Sequence, residues 1–221
     1  MSNDATNSQI TKENLDDLEK IKTASFAVWL SDEKRREYVN KNIKENLGNL
    51  KNNVILLGHN PAEPKFNPSR ELKPFYNFHD GSSDDIFLRE SISECEALKG
   101  AYMTDISQTE NSVLKEVKVS EEDIDKFKKQ LKILGKKEYF VVCFGNDTFD
   151  LFQTLLKDQS SEKEKNIETK IGKLDDYTLH CFKVLHYNRV TNHRPKDKPI
   201  FISQLKEANK LISEYLATNP Q

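Results

Sequence analysis

Two short polar segments carry the side chains best suited to chemistry: Gly58–Ala62, which reads Gly-His-Asn-Pro-Ala, and His186–Asn188, which reads His-Tyr-Asn. Glycine permits a tight turn, and proline biases the residue before it toward extended geometry. The first segment would therefore hold the amide of Asn60 rigidly, so that it could position a water molecule or bind a polar ligand. The alternative interpretation is an ordinary turn, in which Gly, Asn and Pro are common for local reasons.

Each polar segment follows an apolar run that predicts a strand. The run ending at Leu57 is continuous rather than alternating, which is typical of a strand buried on both faces of a parallel sheet. Asp105 closes a second run, Gly145 follows a third and His186 ends a fourth. Ligands bind beyond the carboxyl ends of such strands, so these segments are candidates for one site. The predicted strands are Asn53–Leu57, Ala101–Ile106, Tyr139–Phe144 and Leu179–His186.

Helical patterns separate these strands, and alternation of strands with helices indicates a parallel sheet covered on both faces. We therefore predict an α/β fold, a three-layer α/β/α sandwich with a four-stranded, mainly parallel sheet, over residues 25–221. A polar segment at 1–24, partly disordered or helical, precedes it. Asp32–Leu47 predicts a long charged helix and Ser160–Thr169 a charged loop. The other predicted helices are Asp84–Leu98, Ser120–Leu134, Thr148–Lys157 and Ile202–Ala217.

The order of these motifs from Val54 to Pro195 resembles the uracil-DNA glycosylase superfamily. It is similar to the mismatch-specific and single-strand-selective classes, in which a strand ends in Gly-x-Asn-Pro-Gly/Ala and a His follows the last sheet strand. The resemblance implies that Asn60 positions the attacking water. It also implies that His186 donates a hydrogen bond to a uracil carbonyl as negative charge develops there, which is the task of a preoriented donor.

A weaker match is Gly100–Ile106, which resembles a strand that in the superfamily ends in an Asn reading the edge of uracil. This chain has Asp105 there. An ionised carboxylate only accepts hydrogen bonds, whereas uracil presents both an N–H and a carbonyl. Three alternatives stay open: another base is the ligand, Asp105 is protonated or structural, or glycosylase chemistry is absent.

The segment Pro74–Asp80 lies where the superfamily places an aromatic ring that stacks on the flipped base, and either Phe78 or Phe75 could serve. Aromatic and polar groups on one loop suit base stacking and edge reading. The alternative is that both phenylalanines anchor the core. The ligand-binding residues that we predict, besides the catalytic pair Asn60 and His186, are Gly58, His59, Pro61, Phe75, Asn77, Phe78, His79, Asp105 and Asn188.

The most basic short stretch, Arg189–Lys198, directly follows the His186 segment and could meet DNA phosphates, with Val190 as a wedge into the base stack. The alternative is a solvated surface loop. The formal net charge is −2, so any contact with nucleic acid must depend on a local patch. The predicted backbone-binding residues are Arg189, Asn192, Arg194 and Lys196.

Composition narrows the class of protein. The five histidines lack the helical spacing of a zinc site, and the three cysteines form no Cys-x-x-Cys pair, so we expect no metal, cofactor or disulfide framework. No apolar run approaches the roughly 18 residues that span a bilayer, and no signal peptide is evident. We expect a cytoplasmic monomer that does not contact membranes and that binds DNA or a nucleotide or base ligand.

These observations favour a metal-independent DNA glycosylase that hydrolyses the N-glycosidic bond of a flipped, damaged or deaminated base. No lysine is placed as a Schiff-base nucleophile, so we expect no lyase step. Catalysis itself stays open, because the alternative is a non-catalytic nucleotide- or nucleic-acid-binding module on the same fold.

Overall fold

The computed structural model describes six segments of the chain: residues 9–29, 43–61, 75–79, 82–110, 117–164 and 166–219. Ala62 of the first motif, both ends of the Pro74–Asp80 segment, and residues 32–42 of the predicted charged helix lie outside them. The strands are β1 (Ser25–Phe26), β2 (Val54–Gly58), β3 (Tyr102–Asp105), β4 (Glu138–Phe144), β5 (Lys157–Glu164), β6 (Ile167–Leu174) and β7 (Tyr177–Val184).

The helices are α1 (Lys12–Leu18), α2 (Ser83–Ile92), α3 (Glu121–Leu134), α4 (Asn146–Leu155), α5 (Tyr187–Asn192) and α6 (Lys198–Thr218). A short 3-10 turn at Leu47–Asn49 precedes β2, and another at Pro195–Asp197 joins α5 to α6. The helix predicted from Ser120 to Leu134 is confirmed by α3, whose first turn is capped by the Ser120 side chain and whose end is marked by Gly135 in the left-handed region. Within the described part of the chain, no helix combines the length and the apolar character needed to cross a membrane.

All the strands belong to one sheet with the order β1-β3-β2-β4-β7-β6-β5. The four predicted strands form its parallel centre, β3-β2-β4-β7, while β1, β6 and β5 pair antiparallel at its two sides. The α/β class is confirmed, but the prediction of a four-stranded sheet is wrong because the sheet has seven strands. The prediction of a loop at Ser160–Thr169 is also wrong. β5 and β6 form a hairpin there, and β6 pairs with β7, so the hairpin extends the sheet.

Two apolar cores lie on opposite faces of the sheet, which explains why β2 reads as a continuous apolar run. Ile55 and Leu57 join the core that includes side chains of α1, α3 and α4, whereas Val54 and Leu56 join the core that includes side chains of α2 and α6. Alternate residues of a strand point to opposite faces, so a strand covered by helices on both sides has no polar face.

The direction in which the chain continues changes between β2 and β4. After β2 the chain continues to β3 on one side, and after β4 it continues through the hairpin to β7 on the other side. The carboxyl ends of these two strands are therefore a topological switch point, where α/β proteins commonly bind ligands. The loops that follow the two strands begin with His59 and Gly145.

Candidate functional site

The end of β2 is shaped by the contact between Gly58 and Asp105. The two residues face each other in the parallel register of β2 and β3. A Cβ atom on residue 58 would lie 2.0 Å from Asp105 Oδ1, so only glycine leaves room for this carboxyl group. The pairing continues beyond the strands, because Ser107 donates its backbone N–H to the carbonyl of His59 at 2.9 Å.

The Asn60 side chain is oriented by two loops. Its Nδ2 donates to the carbonyl of Pro61 at 3.1 Å and to the carbonyl of Thr109 at 3.4 Å. Thr109 belongs to the loop that follows β3, so the amide links the loops after two neighbouring strands. The buried Pro61 stiffens the same turn.

Asp105 is a buried carboxyl group whose hydrogen-bonded neighbour is neutral. It is 3% exposed, and its Oδ2 accepts a hydrogen bond of 2.7 Å from Asn77 Nδ2, which also donates to the carbonyl of Thr23. Burial raises the pKa of Asp105 to about 7, while the Asn77 hydrogen bond acts in the opposite direction. The carboxyl therefore populates both protonation states near neutral pH, and its protonated form offers both a donor and an acceptor.

The short segment 75–79 carries two phenylalanine rings that pack on opposite faces of the sheet. Phe75 and Phe78 both have left-handed backbone conformations, with φ of 64° and 67°. Phe75 packs in the core beside Phe26, at 6.1 Å between ring centroids. Phe78 packs in the other core and reaches the site, because its Cζ lies 3.5 Å from the position of a Cβ on Gly58. Both rings are anchored in the cores, and Phe78 also lies close to Gly58, the residue that faces Asp105.

His79 lies away from this site. Its Nε2 is 3.0 Å from the carbonyl of Phe26, and its ring is 5.3 Å from that of Trp29. Burial lowers the pKa of His79 to about 4, so the ring is neutral and its nitrogen bonds to the backbone of β1.

His186 ends the connection from β7 and caps α5. Its Nδ1 accepts a hydrogen bond from the backbone N–H of Asn188 at 3.3 Å, which places the proton of the neutral ring on Nε2. Burial lowers the pKa of His186 to about 4; the nearby His59 lowers it further, and Asp147 acts in the opposite direction. The ring stacks on Tyr187 at 4.9 Å, with the planes at 19°. His186 is therefore a fixed, neutral hydrogen-bond donor.

His59 brings the loops after β2, β4 and β7 into one electrostatic cluster with Asp147 and His186. It is 9% exposed, and its Nδ1 is buried without a hydrogen-bond partner among the described residues. Its Nε2 is 3.5 Å from the carbonyl of Val117, at the limit of a hydrogen bond. A buried imidazole nitrogen with unused capacity is a group that a ligand can satisfy.

Two of the predicted residues on α5 bind another part of the protein. The side-chain amides of Asn188 and Asn192 both donate to the carboxylate of Asp84, on α2. The prediction of Val190 as a wedge is wrong, because this side chain is 1% exposed and packs in the core. The three cationic residues predicted to meet phosphates are exposed: Arg189, Arg194 and Lys196.

The structure thus places part of the predicted set at the carboxyl ends of the central strands. Sequence reasoning missed Asp84 and Asp147 as partners of the His186 segment. Asp84 lies in an acidic first turn of a helix, which the sequence predicts as ordinary capping, and Asp147 lies in the first turn of α4, directly after β4. The residues at the site are Gly58, His59, Asn60, Pro61, Asn77, Phe78, Asp105 and His186. Phe75, His79 and the amide of Asn188 point elsewhere.

A separate cavity of about 880 Å³ opens at the opposite end of the sheet, lined in part by Lys51, Asn53 and Gly100, which precede β2 and β3. Within the described segments, no three His, Cys, Asp or Glu side chains are grouped in a way that could hold a metal ion. No model of a known protein family matches this chain, and no curated protein is significantly similar to it.

Proposed function

We propose that this chain hydrolyses the N-glycosidic bond of a base that is flipped out of DNA. The observation that carries the proposal is the state of His186. It is a half-buried, neutral imidazole with its proton on Nε2, at the same edge of the sheet as the Asn60 loop and Asp105. A neutral donor held at a strand end suits the stabilisation of a leaving group that gains negative charge.

In the proposed reaction, Asn60 positions a water molecule against C1′ of the deoxyribose. The water oxygen forms a bond to C1′ as the bond from C1′ to the base nitrogen breaks, and the bonding electron pair leaves with the base. An amide does not take up a proton at neutral pH, so Asn60 contributes by orientation. The proton of the attacking water goes to solvent or to the departing base.

His186 stabilises the departing base by donating its Nε2–H to a base oxygen that becomes negatively charged. With a pKa of about 4, the ring is neutral in the physiological range, and it donates from Nε2 while Nδ1 accepts from the Asn188 backbone. The ring does not reorganise during the reaction, because Tyr187 stacks on it and the Asn188 backbone holds Nδ1.

Asp105 and Phe78 are the proposed contacts of the base itself. Protonated Asp105 offers a donor and an acceptor, the same pair that an amide side chain offers, and so fits a base edge that carries both a carbonyl and an N–H. Ionised Asp105 only accepts, and so fits an edge rich in amino or N–H groups. The edge that the site prefers should therefore change as the pH crosses about 7, the pKa of Asp105.

The exposed cations Arg189, Arg194 and Lys196 are the proposed phosphate contacts, since they directly follow the His186 segment. The overall charge is slightly negative, so binding should depend on this patch and weaken steeply with added salt.

The test is incubation of excess protein with single-stranded and duplex oligonucleotides that contain uracil, hypoxanthine, xanthine or an alkylated base. Abasic product is detected by strand cleavage in alkali. We expect product from at least one substrate, and its loss in His186→Ala but not in His193→Ala, a matched change at an exposed loop histidine. Absence of abasic product from every substrate would overturn the proposal.

A second candidate function is binding of a base or nucleotide without cleavage. The observation that favours it is the side chain at position 60. This side chain is an amide, which does not take a proton from water. Two results together would support this alternative: equilibrium binding of one of the oligonucleotides named above, and no abasic product from it in a single-turnover experiment. Loss of a measured glycosylase activity in a folded His186→Ala protein would exclude it.

A further inference from the structure

We infer that Asp84 is a positioning residue, which fixes the orientation and the tautomer of His186 through α5; the inference rests on the proposed function. Asp84 is the second residue of α2 and is 9% exposed. Its Oδ2 accepts from Asn188 Nδ2 at 2.5 Å, and both of its oxygens accept from Asn192 Nδ2 at 2.9 Å.

The two asparagines are four residues apart, so their side chains project from the same face of α5. This helix has six residues, which is too short to be stable on the strength of its own hydrogen bonds. Contacts with the rest of the domain must hold it. Two such contacts are the burial of Val190 and the carboxylate of Asp84.

Asn188 connects this contact to the functional histidine. Its side chain is bound to Asp84, while its backbone N–H donates to Nδ1 of His186. Movement of Asn188 would therefore weaken the bond that keeps the ring proton on Nε2. The ring would then be able to adopt the other tautomer, in which Nε2 is an acceptor and cannot stabilise the departing base.

The geometry requires a carboxylate at position 84. Two oxygens with several lone pairs accept all three contacts from the two amides. An Asn at this position would keep the shape but would turn one oxygen into an NH₂ group that faces other NH₂ groups. The charge is also well placed, because the first turn of a helix favours an anion.

The experiment is an NMR measurement of the His186 ring nitrogens in ligand-free protein labelled with ¹⁵N-histidine. In the wild type we expect one neutral tautomer, with the proton on Nε2. In Asp84→Asn we expect a mixture of both tautomers, and in Asn188→Ala a shift in the same direction. The matched control is Glu90→Gln, the same chemical change at an exposed position of α2, which should leave the spectrum unchanged.

Catalysis gives the second readout. If the protein forms abasic product, Asp84→Asn should lower kcat by about ten-fold with little change in KM, since it misplaces a group that acts in the transition state. Asp84→Glu, which keeps the carboxylate, should retain more activity than Asp84→Asn.

A folded Asp84→Asn protein with an unchanged His186 spectrum would reduce Asp84 to a structural residue and overturn the inference. If that variant does not fold, Asn188→Ala decides in the same way, since it removes the same link from the other side. The NMR result does not depend on turnover. A tautomer change in a protein that forms no abasic product would support the positioning role and count only against the proposed function.

Discussion

Each end of the central strands holds a carboxyl group and a histidine. At the amino ends these two side chains contact each other, and at the carboxyl ends they bind separate partners. At the amino ends of β4 and β7, Glu138 Oε1 is 2.7 Å from His180 Nε2 and accepts from Tyr215 Oη at 2.7 Å. At the carboxyl ends, Asp105 and His186 bind separate neutral partners, the Asn77 amide and the Asn188 backbone.

The difference separates polar groups that satisfy one another at the amino ends from polar groups at the carboxyl ends that the proposed function assigns to a ligand. The amino-end cluster satisfies its own members, and His180 also stacks on Phe140 at 4.9 Å. At the carboxyl ends, Asp105 is buried and His186 is half-buried without such mutual satisfaction, and desolvation shifts the pKa values of both toward their neutral forms. Perturbed groups that converge beyond strand ends are typical of functional sites.

The largest expected effect is the pH dependence of stability that Asp105 produces. Its pKa in the folded protein, about 7, lies above the unfolded value near 4, so the folded state holds the proton more tightly between these values. Its contribution to stability is fully present below about pH 4 and is lost as the pH rises through about 7. The loss should reach up to about 4 kcal/mol, since each pKa unit corresponds to about 1.4 kcal/mol.

Urea unfolding of the wild type and Asp105→Asn from pH 4 to pH 8 measures this effect. Asn keeps the shape and can still accept from Asn77, so the difference in unfolding free energy between the two proteins should grow with pH in favour of the variant. Equal pH profiles would show that Asp105 is ionised throughout this range. Asp105 would then not have the raised pKa that distinguishes the carboxyl ends of the strands from the amino ends.

The second effect is on activity. His186→Ala should lower single-turnover hydrolysis by about 100-fold or more, the usual consequence of removing a donor that stabilises a developing anion. His180→Ala should reduce the unfolding free energy but leave hydrolysis by the remaining folded protein unchanged. Equal losses of activity in the two variants would show that His186 has no special role.

The third effect tests the close contact at the end of β2. Gly58→Ala should lower the unfolding free energy by about 2 kcal/mol, because the new Cβ overlaps Asp105 Oδ1 and forces a rearrangement. Removal of that oxygen should relieve the overlap, so the same substitution should cost less in an Asp105→Ala background. Additive effects of the two changes in urea unfolding would mean that they do not interact.

The central strands are predictable from the sequence, because they depend on local patterns, and the same patterns indicate where a candidate site lies. Continuous apolar runs predict the four parallel strands, and polar residues directly after them predict a site at their carboxyl ends. The hairpin strand β6 gives no such pattern. Two of its buried positions are Lys170 and Gly172, and Lys170 fits because its ammonium lies 4.4 Å from the centre of the Phe149 ring.

The contacts within the site are not predictable in the same way, because they join residues distant in the chain. The sequence indicates a turn glycine at position 58. Glycine is required there because the Asp105 carboxyl group occupies the space that a Cβ atom would need. Asn188 and Asn192 read as exposed polar residues near a basic stretch, yet their amides bind Asp84. Such pairs have no spacing signal, since the fold and not the local chain brings them together.

The smallest expected effect lies at the amino ends of the strands. Tyr215→Phe removes the hydroxyl that donates to Glu138 and should lower the unfolding free energy by about 1 kcal/mol, the usual value of one hydrogen bond. His180 still contacts that carboxylate, so the effect should stay small and hydrolysis by the folded protein should not change. A matched control is Tyr177→Phe, at a residue whose ring packs against Tyr139. A fall in activity with unchanged stability in Tyr215→Phe would place the amino-end cluster in the functional machinery and reverse the division between the two ends of the sheet.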